Sequence, residues 1–342
     1  MVREIRINGV SRKHLLIYVV VGVVFFLAII LNITFWGQRY KETHYPEERG
    51  VMSEGFGQRP VLVCGGTSYV RKINQTTMLF MGIDQSADAV KYGFRNGGQA
   101  DFLLLVVIDH DEKSVRQLQI DRDTMAEVTV LGVLGNETGT RNLQICLSHG
   151  FGADDEERCR HTMESVQKLL VNTPIEFYVS MDFGAVEVLN DVLDGVTVTL
   201  EDDFSDFDKQ MTMGNTLKLN GSQAELFVRS RVSVGDGTNY SRMRRQRAYL
   251  KAASEKLMER VKEDEGYVGK IYDQMKGLMT TNITRGRMVN EVNRLYLYDV
   301  FPVEMLAGEY VVGKDGFMEF HTDKVKLQEW VLDAFYESVN EK

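Results

Sequence analysis

FLLLVVI, residues 102–108, is an unbroken run of seven apolar side chains. A strand with one face in water alternates apolar and polar residues, whereas a continuous run marks a strand covered on both faces. The sheet that holds this run must therefore carry a packed layer on each side. Before it, MLFMGI (78–83) is a second short apolar run that stops at Asp84, and a polar loop containing Gly93, Gly97 and Gly98 joins the two. After it, Val115, Leu118 and Ile120 suggest the next strand. Further on, Met163, Val166, Leu169 and Leu170 recur at helical spacing, while Ile175, Phe177, Val179 and Met181 alternate as a strand does. Val186, Leu189 and Val192 are helical again, and Val196, Val198 and Leu200 alternate again. Leu250, Ala253, Leu257 and Val261 mark an amphipathic helix, and Leu327, Val331, Phe335 and Val339 a closing one. Strands interleaved with helices predict an α/β fold, a layered α-β-α domain around a central mixed sheet.

The N-terminal end has a different character. Leu15 to Trp36 reads LLIYVVVGVVFFLAIILNITFW, 22 residues without a charge, in which Asn32 and Thr34 are the clearly polar positions. At ~1.5 Å per residue, about 20 residues cross a bilayer, so one transmembrane helix is predicted over 15–36. Arg3, Arg6, Arg12 and Lys13 precede it against the single acid Glu4. The positive-inside rule puts residues 1–14 in the cytoplasm and everything after Trp36 outside. The segment is longer than the apolar core of a signal peptide and ends in NITFWGQRY, which lacks a small-residue cleavage site, so an uncleaved single-pass anchor in the cell membrane is expected. Residues 37–75, polar and broken by Pro46, Pro60 and Gly65-Gly66, read as a stalk and lead-in strand, and residues 76–342 as the extracytoplasmic domain.

A formal net charge of −9 and a pI near 5.3 give no general attraction to phosphate backbones, which disfavours nucleic acid as the main partner. Cys64, Cys146 and Cys159 form no CxxC, and the six histidines show no HExxH spacing. Spacing does not decide whether Cys146 and Cys159 pair.

Against that acidic background, VRSRVSVGDGTNYSRMRRQR (228–247) holds six arginines and one acid, Asp236. Arg229 and Arg231 are two apart, so on a strand they share a face. Arg242 and Gln246 are four apart, so on a helix they share a face, with Arg245 adjacent. A glycine-containing turn joins the two pieces, so arginines from a strand and from a helix start converge. Guanidinium forks contact phosphate in pairs, and a helix N-terminus adds its own field. Arg244 and Arg247 read as solvated. DRD (121–123) follows the strand ending LQI. Asp84 and Asp101 flank successive strands and have the chemistry to hold Mg²⁺ together with phosphate oxygens of a ligand. CLSHG (146–150) lacks the first glycine of a nucleophile elbow.

Taken in order, these pieces resemble the LytR–CpsA–Psr family. They are GID (82–84), AD (100–101) before FLLLVVI, DRD (121–123), HGFG (149–152), LDGV (193–196), RSR (229–231) and RMRRQ (242–246), spread over roughly residues 77–255. The resemblance implies a Mg²⁺-dependent phosphotransferase that moves a glycopolymer, of teichoic acid or capsule type, from a polyprenyl pyrophosphate to peptidoglycan. It implies Asp84 and Asp101 near Mg²⁺, and Arg122, Arg229, Arg231, Arg242, Arg245 and Gln246 on the pyrophosphate. Asp101, Arg122 and Asp123 are then the expected catalytic set. Four positions depart from the family pattern. Asp121 replaces the usual proline, Asn239 stands where aspartate is common, and Gln85 and Ser86 follow GID where arginine is common. A non-catalytic module that only holds polyprenyl-linked polymer is the competing expectation.

Overall fold

The computed structural model describes residues 61–85 and 97–339. The chain divides into two units, residues 1–63 and 64–342. The elements run β1 (Val61–Cys64), β2 (Thr67–Arg71), β3 (Gln75–Asp84), β4 (Gln99–Asp109), β5 (Ser114–Ile120), β6 (Met125–Leu131) and β7 (Glu137–Gln144). A 3₁₀ turn (Ile145–Gly150), α1 (Asp155–Leu169), β8 (Phe177–Asp182), α2 (Ala185–Val192), β9 (Thr197–Thr199) and β10 (Thr216–Lys218) follow. Next come α3 (Gly221–Arg229), α4 (Asn239–Glu263), α5 (Tyr267–Met275), β11 (Met279–Thr281) and α6 (Arg285–Arg294). The chain ends with β12 (Asp299–Met305), β13 (Gly308–Val312), β14 (Met318–Thr322), α7 (Lys324–Phe335) and β15 (Tyr336–Val339).

The central sheet has six strands in the order β11-β8-β3-β4-β5-β12. It is mixed: β3 runs parallel to β8 and β12 to β5, while β4 runs antiparallel to both its neighbours, β3 and β5. The strand FLLLVVI is β4, near the middle, and it is covered on both faces. Leu103, Leu105 and Val107 pack with Val166 of α1 and with Leu327, Trp330 and Val331 of α7. Leu104, Val106 and Ile108 face the other way, toward Leu250 of α4 and Met288 of α6. The layered α/β expectation therefore holds.

Two expectations need correction. The closing helix ends at Phe335, and Val339 lies instead in β15, which pairs antiparallel with β2 from Tyr336↔Arg71 to Val339↔Ser68. The strand partner satisfies backbone groups that a further helical turn would have used internally. By the same pairing, residues 67–71, expected as lead-in, are part of the domain. The anchor expected at 15–36 lies outside the described residues, among which no helix is long and apolar enough to cross a membrane.

The end of the sheet where β3 stops and β4 starts is specialised. Gly82 pairs with Phe102 and Ile83 with Ala100, so Asp101 is the extra residue of a β-bulge, a device that re-aims a side chain. A Cβ on Gly82 would meet the Phe102 Cβ at 2.9 Å. A Cβ on Gly98 would lie 2.4 Å from the Asp84 carbonyl oxygen. Substituting Gly98→Ala should force the end of β3 away from the start of β4. We expect a loss of about 1–3 kcal/mol in urea unfolding, the usual cost of an overpacked contact.

Candidate active site

Asp101 is 4% exposed and grips two arginines. Its Oδ1 accepts from Arg122 Nη1, and its Oδ2 accepts from Arg242 Nη1 at 2.8 Å. Arg122 also donates through Nη2 to Gln99 Oε1 and to Cys146 Sγ, the latter at 3.3 Å. Burial works against its charge, yet the Cys146 sulfur, in the thiolate form it takes only at strongly alkaline pH, together with Asp101 and Asp123, outweighs burial and holds the guanidinium more firmly protonated than usual. Gln99 pairs in register with Asp84, so Asp84 and the Arg122 cluster lie at the same sheet end.

Arg229 and Arg231 reach this end differently from expectation. They are not on a strand: Arg229 is the last residue of α3, and Arg231 lies in the turn beyond it. Asn220 and Gln223 form a capping box, in which Gln223 N–H donates to Asn220 Oδ1 at 2.9 Å and Asn220 N–H to Gln223 Oε1 at 3.1 Å. Ala224, Phe227 and Val228 then bury one helical face. The N-x-x-Q signal at 220–223 was present in the sequence, and the two-residue arginine spacing obscured it. Arg229 donates to Asp84 Oδ1 at 3.2 Å and to Glu225 Oε1 at 2.9 Å. Arg231 is exposed, has no ion pair or hydrogen bond from its side chain among the described residues, and lies near enough to pull on the Asp123 carboxyl. Asp123 is buried, and that burial, with Asp121 adding to it, pushes its pKa above the usual range against Arg122, Arg231 and Arg242.

RMRRQ divides by depth. Arg242 is buried and joins Asp101 and Asn239. Arg245 and Gln246, expected on the ligand, are instead spent on protein. Arg245 is 2% exposed and donates to Phe227 O at 3.1 Å, to Asp202 Oδ2 at 2.6 Å, and to the Ser230 carbonyl. Gln246 donates to Val228 O at 3.1 Å and accepts from Gln119 at 2.9 Å. The reason is that the C-terminal end of α3 has carbonyls without helical partners, and these two side chains cap it. Arg244 pairs with Glu201 and Asp202, and Arg247 with Gln119, so neither is merely solvated. Gln99 and Cys146 contribute to the site without having stood out in the sequence; nothing in their local spacing marks them.

The LytR_cpsA_psr family matches residues 38–329. The chain belongs to that family. It is 27% identical over 249 residues to the polyisoprenyl-teichoic acid–peptidoglycan teichoic acid transferase TagV of Bacillus subtilis (strain 168), covering 71% of this chain and 58% of that protein. The chain thus spans somewhat more than half the length of that relative. Its fold matches the crystal structure of B. subtilis TagV with TM-score 0.59 at 22% identity, over 76% of this chain and 97% of the other. It also matches TagT bound to LI-WTA with TM-score 0.57 at 22% identity, over 76% and 89%.

On one sheet face of this LytR_cpsA_psr domain, Phe80, Phe102 and Met181 are only partly buried, as are Leu250, Met279 and Met288 packed with them, and Phe102 directly follows Asp101 on β4. Phe183 and Leu193 are sealed in a core with Phe204 and Phe227. A cleft of about 530 Å³ lies at the opposite sheet end, lined by Lys72, Asp109, Arg116, Glu304 and Asp333. Its charges are already paired with one another, Lys72 with Asp109 and Arg116 with Glu304 and Asp333. The three cysteines are free thiols, and burial pushes Cys146 up to about 12, so it stays neutral beside Arg122.

Among the described residues no group of three or more His, Cys, Asp or Glu side chains is placed to hold a metal. Mg²⁺ commonly takes one or two carboxylates and fills its shell with water and phosphate, so Asp84 and Asp101 suffice in kind. Each oxygen of Asp101 receives one arginine donor, which leaves it a lone pair.

The division of the arginines is testable by stability. Arg245→Ala leaves the buried Asp202 carboxylate with only Arg244 and Ser241, uncaps the Phe227 and Ser230 carbonyls, and should cost about 3–5 kcal/mol in urea unfolding. Arg231→Ala, at an exposed unpaired side chain, should stay within about 0.5 kcal/mol of wild type.

Proposed function

We propose that this chain is a Mg²⁺-dependent phosphotransferase that moves a polyprenyl-pyrophosphate-linked glycopolymer, of teichoic acid or capsule type, onto peptidoglycan. The observation that carries the reading is the gathering of Arg122, Arg229, Arg231 and Arg242 at one sheet end, where the partly buried Phe102 follows Asp101. Planar forks from separate elements suit pyrophosphate oxygens and fix their orientation. A polyprenyl tail gains about 0.8 kcal/mol per buried CH₂, so it needs apolar surface next to the anion. The name of the TagV relative, a teichoic acid transferase, points in the same direction.

Charge balance supports a dication. Arg122, Arg229 and Arg242 are already paired with Asp84, Asp101, Asp123 and Glu225, so with Arg231 counted the four arginines bring no surplus positive charge. The charge of a pyrophosphate is therefore left unbalanced. Mg²⁺ held by Asp84 and Asp101 would supply the remaining charge at the phosphate oxygens.

In the proposed step a sugar hydroxyl of peptidoglycan attacks the phosphorus nearer the glycan. A new P–O bond forms, the bond to the bridging oxygen breaks, and polyprenyl phosphate leaves. Little covalent work falls to the protein; positioning and charge stabilisation dominate. We assign the hydroxyl proton to Asp123, whose elevated pKa suits a base, with Arg122 on the transferring phosphoryl group. Asp101 orients Arg122 and Arg242.

Turnover of lipid-linked polymer by the full chain with Mg²⁺ tests the activity; binding without turnover would leave only a holding module. Arg229→Ala and Arg231→Ala should each weaken polyprenyl pyrophosphate by about 1.5–3 kcal/mol, ten- to a hundredfold, with the fold intact. A base works when deprotonated, so kcat/KM should rise with pH through the raised Asp123 pKa and then level. Asp123→Asn should remove that limb and lower the rate about 10²–10⁴-fold.

The reading also requires the domain to face the cell wall, with residues 15–36 as its anchor. Protease added to intact protoplasts should then degrade the domain, and full protection would overturn this orientation.

A further inference from the structure

Asp121 and Asn239, two of the positions at which the sequence departs from the family pattern, touch each other. Asn239 Nδ2 donates to Asp121 Oδ1 at 2.9 Å. The other end of that amide, Oδ1, accepts from Arg242 Nε at 3.2 Å and Nη2 at 2.7 Å. Asp121 Oδ1 also accepts the Asp123 backbone N–H at 2.8 Å, and its Oδ2 accepts the Tyr310 hydroxyl. Asp121, Asn239 and Arg242 are all buried.

A primary amide donates at one end and accepts at the other, whereas a carboxylate only accepts and a guanidinium only donates. Asp121 therefore fixes which way Asn239 faces. Turned over, the amide would set oxygen against carboxylate and NH₂ against guanidinium, two repulsive contacts in a buried site. Tyr310 holds the far side of Asp121. It comes from β13, whose partner β14 docks on the same turn through Phe320 N–H to Asp123 O at 2.8 Å and a bridge from Phe320 to Thr124. We propose that Asp121 and Tyr310 are positioning residues that, through Asn239, set the direction in which Arg242 presents its guanidinium to the anion. The inference rests on the pyrophosphate reading of the site and adds the C-terminal hairpin to it.

The charged and titratable groups facing this set are Arg242 from α4, Asp123 from the same turn, and Tyr310, with Tyr240 and Arg247 close behind Tyr310. Asn239→Asp would put a second carboxylate against Asp121. Two carboxylates sharing a site do not both ionise freely, so one holds a proton at low pH and loses it as pH rises. The full chain would be titrated with inorganic pyrophosphate and with a short-chain polyprenyl pyrophosphate from pH 5 to 8. Asn239→Asp should bind nearly as wild type at pH 5 and fall by about tenfold at pH 8, a factor of ten for each unit by which ligand and paired carboxylate displace one another's equilibria. Combining Asp121→Asn with Asn239→Asp reverses donor and acceptor and should recover binding that no longer falls with pH. Tyr310→Phe, which deletes one half-exposed hydroxyl, should weaken binding several-fold at an unchanged melting temperature. It decides the matter if Asn239→Asp does not fold.

Pyrophosphate binding by Asn239→Asp equal to wild type at every pH would overturn the inference alone, as would a pH-independent loss that the double variant does not rescue. An unchanged affinity in Tyr310→Phe would do the same. If wild type binds neither probe, the functional reading falls and takes this inference with it.

Discussion

Asp101 is a buried carboxylate held by two arginines that come from different parts of the chain. Left unpaired, such a charge would cost several kcal/mol. Arg122 arrives from the turn after β5 and Arg242 from α4, and each donates to its own oxygen of Asp101. The bulge at Gly82 and Ile83 makes Asp101 the extra residue of β4, and the close approach of Gly98 to Asp84 brings the two strand ends together. Sheet, turn and helix are thereby locked at one point. The rest of the proposed anion site is arranged around these arginines, because neither guanidinium can swing away without leaving one oxygen of the carboxylate bare.

Much of the fold was legible because its signals are local and repeated. A continuous apolar run reports burial on two faces, and FLLLVVI has both. Helical and strand periodicity located α1, β8, α2 and β9. The RSR segment was misread because a spacing of two suggests a strand face, while the capping residues Asn220 and Gln223 that decide for a helix lie nine and six residues before Arg229. The last helix was extended through Val339 because a helical spacing persists where a strand partner, β2, takes over the backbone. That partner is more than 260 residues away in sequence, from Arg71 to Tyr336.

The site was legible in its residue types and less so in their roles. Arg242, Arg245 and Gln246 lie within one short stretch of α4, and pattern alone gives all three to the ligand. What separates them is what each meets. Arg245 finds Phe227 O, Ser230 O and Asp202, while Gln246 finds Val228 O and Gln119. Phe227, Val228 and Ser230 lie 15 to 18 residues before their partners, Asp202 43 and Gln119 127, too far for a helical pattern to register. Asp121 and Asn239 looked like separate weaknesses for the same reason: the contact between them spans 118 positions. Tyr310 carried no signal, since a tyrosine on a short strand is ordinary until a buried carboxylate is found beneath it.

The structural arginine and the ligand arginines are mechanically joined. Arg245 and Gln246 fasten the end of α3 to α4, so the segment bearing Arg229 and Arg231 is tied to the helix that presents Arg242. A chain with net charge −9 offers little long-range attraction to a polyanionic glycopolymer. Three of its four site arginines are already paired with carboxylates. Recognition in the proposed reaction therefore has to come at short range, from forks held ready in place, rather than from the field of the whole protein. Phosphoryl transfer favours that arrangement, because orientation and charge placement do most of its work and are most effective when fixed before the ligand arrives. On the proposed function, an arginine that never touches the ligand thus contributes to its recognition by denying freedom to those that do.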